Sequence, residues 1–209
     1  MAQAENPKRR AVKTIVLVRH GRIVWHFRTL IPGYGLGEWR RGEDAAPLDI
    51  SYRPDVELER LVRTAASLHA SSLRRSMESA RLLAPAIEPL IDARFREAEL
   101  PTAIRSGVRL PAKVWAGVAR ARWFAGWGGP EGDGVESFRD ARARAASAAA
   151  ILEQHAESRG TVVLIGHGLM NILIAGHLRA AGWRGPKLPS QRHWGYGIYE
   201  VERLTTRSA

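Results

Sequence analysis

Two short apolar runs in the chain end in the same way. Thr14-Ile15-Val16-Leu17-Val18 stops at Arg19-His20-Gly21, and Thr161-Val162-Val163-Leu164-Ile165 stops at Gly166-His167-Gly168. An unbroken run of β-branched and aliphatic residues, without polar alternation, predicts a strand covered on both faces, as in parallel sheets. Each run therefore predicts a central strand that delivers a histidine followed by glycine at its carboxyl end. In open α/β sheets, ligands bind beyond those strand ends, where glycine lets backbone approach and the next helix offers its first amides. The two histidines are thus placed to face one pocket.

The remaining pattern alternates between helices and strands. Val56 to Ala66 is amphipathic after Pro54, and Ser76 to Leu83 is helical up to the stop at Pro85. Ser67-Leu68-His69-Ala70 predicts another central strand, whose exit loop carries Arg74 and Arg75. Ser137 predicts an N-cap for the Ala-rich helix Phe138 to Glu157, with an apolar stripe of Phe138, Ala141, Ala145, Ala148, Ala149 and Leu152. A helix is predicted from Gly168 to about Arg179, and a last strand over Gly197 to Val201. Residues 101–135 break the alternation: Pro101 and Pro111 flank a loop, Lys113 to Ala125 reads as helical, and Gly126 to Gly134 as a flexible loop. This segment is expected to be an insertion covering a site. The whole reads as one α/β domain over residues 1–209, three layers α/β/α around a largely parallel sheet, with residues 1–13 a flexible N-terminus.

Composition fits that picture. The chain has 209 residues, 45% hydrophobic and 25% charged, which suits one compact soluble domain and excludes disorder and collagen. A domain of that size buries roughly 70% of the surface its unfolded chain exposes, enough for a core without staples. The absence of cysteine excludes disulfides, thiolate zinc sites and a cysteine nucleophile. Lys and Arg number 32, of which 28 are arginine, against 21 Asp and Glu, a formal charge of +11 that invites an anionic partner. These cations are scattered rather than blocked, which argues against nucleic acid and suits a small phosphorylated ligand. Lys8, Arg9, Arg10 and Lys13 precede an apolar run far too short for a signal sequence or a membrane span. A cytoplasmic protein without stable membrane insertion is expected.

Among the seven histidines there is no H-x-x-x-H or H-E-x-x-H spacing, so neither a metal site nor a cofactor is expected. His69, His155 and His177 read as packing residues. His26 and His193 stand between packing and function. Trp115, Trp123, Phe124 and Trp127 fit a pocket wall, a satellite core or a self-association surface of a homo-oligomer; Arg40 and Arg41 read as a solvated turn.

Four motifs in order, Arg19-His20-Gly21, Ser71-x-Leu73-x-Arg75 with Ser79-Ala80, Phe95-Arg96-Glu97 and Gly166-His167-Gly168, together resemble the histidine phosphatase superfamily. The resemblance spans residues 14–202. It implies a phosphoglycerate mutase-like fold and metal-independent hydrolysis of phosphomonoesters through a phosphohistidine on His20. His167 then donates a hydrogen bond to the phosphoryl group, and Glu97 protonates the leaving alkoxide. Glu99 is the other candidate acid, because residues i and i+2 of a strand share a face; Glu97 is favoured by the motif.

The chemistry agrees with the residue types. A transferring phosphoryl group keeps its negative charge, so catalysis is mainly positioning plus fixed positive charge. Arg19 and Arg75 each offer a permanently charged fork, and a neutral imidazole is a competent nucleophile near pH 7. Gly21, Arg22, His26, Glu99 and Gly168 are the expected substrate-binding residues. The span Arg22-Ile23-Val24-Trp25-His26 departs from the family's usual Glu-(Ser/Thr)-x-Trp-Asn: Ile23 lacks the hydroxyl, and His26 stands for the amide. Pro101 replaces a common glycine, and no segment resembles the mutases' longer specificity region. These departures leave one rival, a non-hydrolytic, regulatory phosphate-binding module of the same fold.

Overall fold

The computed structural model describes residues 10–126 and 134–204. Lys8, Arg9, Trp127 and most of the glycine-rich loop lie outside the described residues. Five strands form the central sheet: β1 (Arg10–Arg19), β3 (Ser67–Ser71), β4 (Leu90–Asp92), β6 (Thr161–Gly166) and β7 (Tyr196–Leu204), in the order β4-β3-β6-β1-β7. All neighbours are parallel except β7, which runs antiparallel to β1. A small separate ribbon pairs β2 (Leu30–Pro32) with β5 (Arg109–Pro111).

The unbroken apolar runs of β1 and β6 are explained by helices on both faces. Ile15, Leu17, Val162 and Leu164 face α5 (Phe138–Arg159) and α6 (Gly168–Ala180). Val16, Val18, Val163 and Ile165 face α2 (Val56–Arg63) and α3 (Arg74–Leu83). The fold is thus a three-layer α/β/α sandwich. Along α5, Ala141, Ala145, Ala148, Ala149, Leu152 and Ala156 are buried, and these small side chains let the helix lie close to the sheet. Ser137 caps it in a reciprocal capping box with Asp140.

Several expectations are corrected here. Strand β1 begins at Arg10, so Arg10 to Lys13, expected in a flexible N-terminus, pair with β7 from Arg10↔Leu204 onward. Backbone hydrogen bonding carries the ladder beyond the apolar run into residues whose side chains face solvent, such as Val12. For the same reason β7 is longer than Gly197 to Val201. Arg74 and Arg75 open α3 instead of lying in a loop. Arg40 and Arg41 sit on a helix, α1 (Leu36–Ala45), which replaces the expected turn.

Trp115 and Trp123 lie on α4 (Ala112–Phe124) and are buried in two satellite clusters, one with Leu36 and Trp39, the other with Ala98 and Ala141. Each indole N–H is satisfied, Trp115 by the Ile31 carbonyl at 3.0 Å and Trp123 by the Glu136 carbonyl at 2.7 Å. They are core residues of these clusters rather than a pocket wall. No helix among the described residues is long and apolar enough to cross a membrane.

Candidate active site

Parallel register brings the two histidines together. Arg19 of β1 is paired with Gly166 of β6, so the next residue of each strand, His20 and His167, emerges at the same sheet end. The His20 amide donates to the Gly166 carbonyl at 3.0 Å, and the two rings lie 5.1 Å apart. Both are buried.

The hydrogen bonds around His20 fix its tautomer. Nδ1 lies 2.8 Å from the Gly21 carbonyl, which only accepts, so Nδ1 carries the hydrogen and Nε2 the lone pair. Arg75 Nε–H donates to that lone pair at 3.2 Å. Burial, and then the Arg75 guanidinium, hold the His20 pKa well below the ordinary imidazole value, so the ring is neutral near pH 7. Burial followed by Arg75 does the same to His167.

His167 Nε2 lies 2.8 Å from Ser71 Oγ and 3.2 Å from Ser76 Oγ. Ser71 Oγ also accepts from the Leu73 amide; when it gives its own hydrogen to His167 Nε2, the imidazole hydrogen stands on Nδ1. That Nδ1 is buried without a partner, as is Nε of Arg19. Unpaired buried donors are costly, and an anion entering beside His20 would satisfy them. Arg19 is otherwise tethered through Nη1 to the Gln191 carbonyl. Burial draws its pKa below the ordinary guanidinium value while Glu97 opposes the shift.

Arg75 is buried at the start of α3, and its Nη1 donates to Asp44 Oδ1 of α1 at 2.6 Å. Ser79 joins α3 to the loop after β1, accepting from the Gly21 amide at 2.9 Å and donating to the Arg75 carbonyl at 2.6 Å. Gly21 itself packs under Trp194: a Cβ there would lie 2.2 Å from the indole. Trp194 has φ of 63°, a left-handed conformation unusual for a bulky residue, and its indole Nε1–H donates to the Tyr52 carbonyl at 2.7 Å.

Glu97 follows a 3-10 turn (Ala93–Phe95) and is not in a strand, so the shared-face argument linking it to Glu99 does not apply. Its carboxylate accepts from the amides of Ala98 at 2.9 Å, Leu169 at 3.2 Å and Met170 at 3.0 Å, capping the start of α6 beside His167. Glu99 instead accepts from the Glu136 amide at 3.2 Å and lines a neighbouring cavity.

A cavity of about 460 Å³ opens over His20 and is lined also by Arg19, Arg22, Arg75 and Glu97. His26 is exposed and packs against Trp25 at 6.4 Å between centroids, away from this cavity. Gly168 is the first residue of α6; a Cβ there would meet Gln191 Oε1 at 2.7 Å. Arg22 pairs with Asp49 at 2.6 Å and lies over the Tyr52 ring. His193, left undecided by sequence, lines the cavity: its ring is 5.4 Å from His20, and its Nδ1–H donates to the His20 carbonyl at 3.3 Å. Burial, then Arg19, push its pKa down to about 4. Asp44 and Lys113 were also missed, since a lone charge outside a motif carries no sequence signal.

The sequence pattern of the histidine phosphatase superfamily (branch 1) matches residues 15–202, and the chain belongs to that superfamily. Its class is accordingly that of a phosphatase. Solved structures share the fold. One is "Mycobacterial hydrolase 1", with 20% identity, a TM-score of 0.57 and coverage of 95% of this chain and 99% of that one. A mycobacterial glucosyl-3-phosphoglycerate phosphatase in complex with VO3 has 20% identity, a TM-score of 0.55 and coverage of 94% and 100%. The alpha-ribazole phosphatase of Shigella flexneri has 14% identity, a TM-score of 0.54 and coverage of 91% and 95%. Comparison with curated protein sequences gave no match.

Proposed function

We propose that the protein hydrolyses small phosphomonoesters, without a metal, through a phosphohistidine on His20. The observation that carries this reading is the His20 ring itself: neutral, with its Nδ1 hydrogen donated to Gly21 and its Nε2 lone pair turned to Arg75. In the first step Nε2 attacks phosphorus and the bond to the alcohol oxygen breaks. Arg19, Arg75 and His167 Nδ1–H bind the phosphoryl oxygens, where fixed donors act on charge already desolvated. Glu97 gives the departing alkoxide its proton. Water then attacks phosphorus, the P–N bond breaks, phosphate leaves, and Glu97 takes up the water's proton. Entry of substrate oxygens displaces Arg75 Nε–H from the lone pair and frees it to attack. Helix α4 covers the site, a reading supported by Lys113 and Ala116 in the cavity wall.

The rival reading, phosphate binding without turnover, draws support from Glu97, whose carboxylate is already occupied by three backbone amides. Rapid quench with an activated aryl phosphate separates the two. An acid-labile, alkali-stable protein adduct is expected in the parent and absent in His20→Ala. Equal hydrolysis by both proteins would remove His20 from its role, and binding without hydrolysis would establish the rival.

A further inference from the structure

The polar side chains that line the His20 cavity are mostly donors. Arg19, Arg22, Arg40, Arg75 and Lys113 have no acceptor atom to offer. The two carboxylates in the wall are engaged, Glu43 by Arg40 and Glu97 by three backbone amides. His193 differs from all of these. Its Nδ1–H is turned back onto the His20 carbonyl, which only accepts, so the lone pair of the neutral ring stands on Nε2, across the ring from that tether. Among the described residues no donor engages this Nε2.

The cations that bear on the ring are Arg19, then Arg22 and Lys113, all three in the wall of the same cavity. Burial first, and then these charges, keep the imidazole neutral near pH 7 and Nε2 purely an acceptor. The oxygens of a phosphomonoester, ionised near pH 7, only accept as well, so they are not what this lone pair meets. Its partner is an N–H or O–H that arrives on the alcohol part of the ester. The His193 ring is 5.4 Å from that of His20, so an ester held by its phosphorus at His20 brings the carbons next to its ester oxygen beside His193. A hydroxyl there finds its acceptor in place, and an ester without one leaves a half-buried lone pair unpaired.

We propose that His193 is a specificity-determining residue whose Nε2 accepts a hydrogen bond from a hydroxyl on the carbon next to the ester carbon, so that phosphomonoesters of vicinal diols and polyols are preferred to those of simple alcohols. This rests on the phosphatase reading above and adds the chemistry of the leaving group. One imidazole thereby does two things: Nδ1–H holds the backbone of the nucleophile, and Nε2 reads the alcohol that it releases.

The test uses the full chain and three matched esters, ethyl, 2-hydroxyethyl and 2-methoxyethyl phosphate, with the parent, His193→Asn and His193→Gln. The asparagine amide can still donate to the His20 carbonyl but places nothing at Nε2, whereas glutamine brings a carbonyl oxygen to the Nε2 position. Intrinsic leaving-group differences cancel when each ester is compared across proteins. His193→Asn is expected to lose about tenfold more kcat/KM on the hydroxylated ester than on ethyl phosphate, chiefly through KM, equivalent to ~1.4 kcal/mol. His193→Gln is expected to recover most of that difference, which a merely structural role would not produce. The methoxy ester keeps the oxygen without its hydrogen and is expected to behave like ethyl phosphate. A parallel loss on all three esters, or a methoxy ester as good as the hydroxylated one in the parent, would overturn the proposal and leave His193 as a tether for His20.

Calorimetric binding of the same esters to His20→Ala, with and without His193→Asn, makes the answer independent of turnover. Binding selective for the hydroxylated ester, in a parent that hydrolyses nothing, would overturn the phosphatase reading and keep the hydroxyl acceptor. Hydrolysis by the parent with equal affinities for the three esters would do the reverse.

Discussion

Gly21 shows how narrowly the loop that carries His20 is built. A methyl group there would enter the Trp194 indole, and that ring cannot easily retreat, because its N–H is bonded to Tyr52 and its backbone is already left-handed. Gly21→Ala is expected to lower stability by ~1–3 kcal/mol, the usual range for overpacking, and to reduce turnover as His20 is displaced. A urea midpoint matching the parent would show that Trp194 yields. The motif residues Arg19, His20, Arg75 and His167 were legible because their neighbours in sequence have a recurring pattern. His26 and His193 were not distinguishable in that way: both stand beside tryptophan, but His26 lies in an exposed segment, while the turn at residues 192–195 carries His193 back onto β1. Glu97 and Glu99 likewise part company through a 3-10 turn that local pattern did not reveal.

At the scale of elements, periodicity served best where an element is decided by its own residues. Helix α5 begins at its serine cap and follows its alanine stripe, and the reciprocal bonds between Ser137 and Asp140 secure its first turn. Ser137→Ala is expected to cost ~1 kcal/mol, within the range for loss of a cap, with little change in KM because the cap lies outside the His20 cavity. Thermal unfolding and steady-state kinetics on one activated ester check both halves. Elements decided by partners were misjudged: β1 and β7 extend each other by backbone pairing beyond any apolar signal, and α1 forms where a turn was expected because Leu36 and Trp39 find Trp115 and Ile104.

For the molecule as a whole, the buried imidazoles set a pH dependence. His20 and His167 lie well below their ordinary pKa, and His69 and His193 at about 4, burial being the leading cause in all four. The unfolded chain therefore takes up protons from about pH 6.5 downward while the folded protein resists, and the unfolded state gains. Stability is expected to be flat above pH 7 from these groups and to fall between pH 6.5 and 4. Each fully buried imidazole contributes up to ~1.4 kcal/mol per pH unit in that interval. Calorimetric unfolding from pH 7.5 to 4.5 measures it, and a Tm that does not fall would mean these rings protonate in the folded state.

Some of this architecture is local and so was determined by the sequence alone: apolar runs too continuous for an exposed strand, a serine cap before an alanine stripe, and histidines placed at two strand ends. Strand character and helix phase depend on neighbouring residues, which the chain carries with it. Only the tertiary structure decided that Arg19 pairs with Gly166, so that His20 and His167 meet, that Arg75 reaches His20 Nε2, and that Lys113 overlooks the same cavity. Those contacts join residues 55 to 147 positions apart in the chain. Their geometry is set by register, layer packing and burial, which belong to no single stretch of sequence.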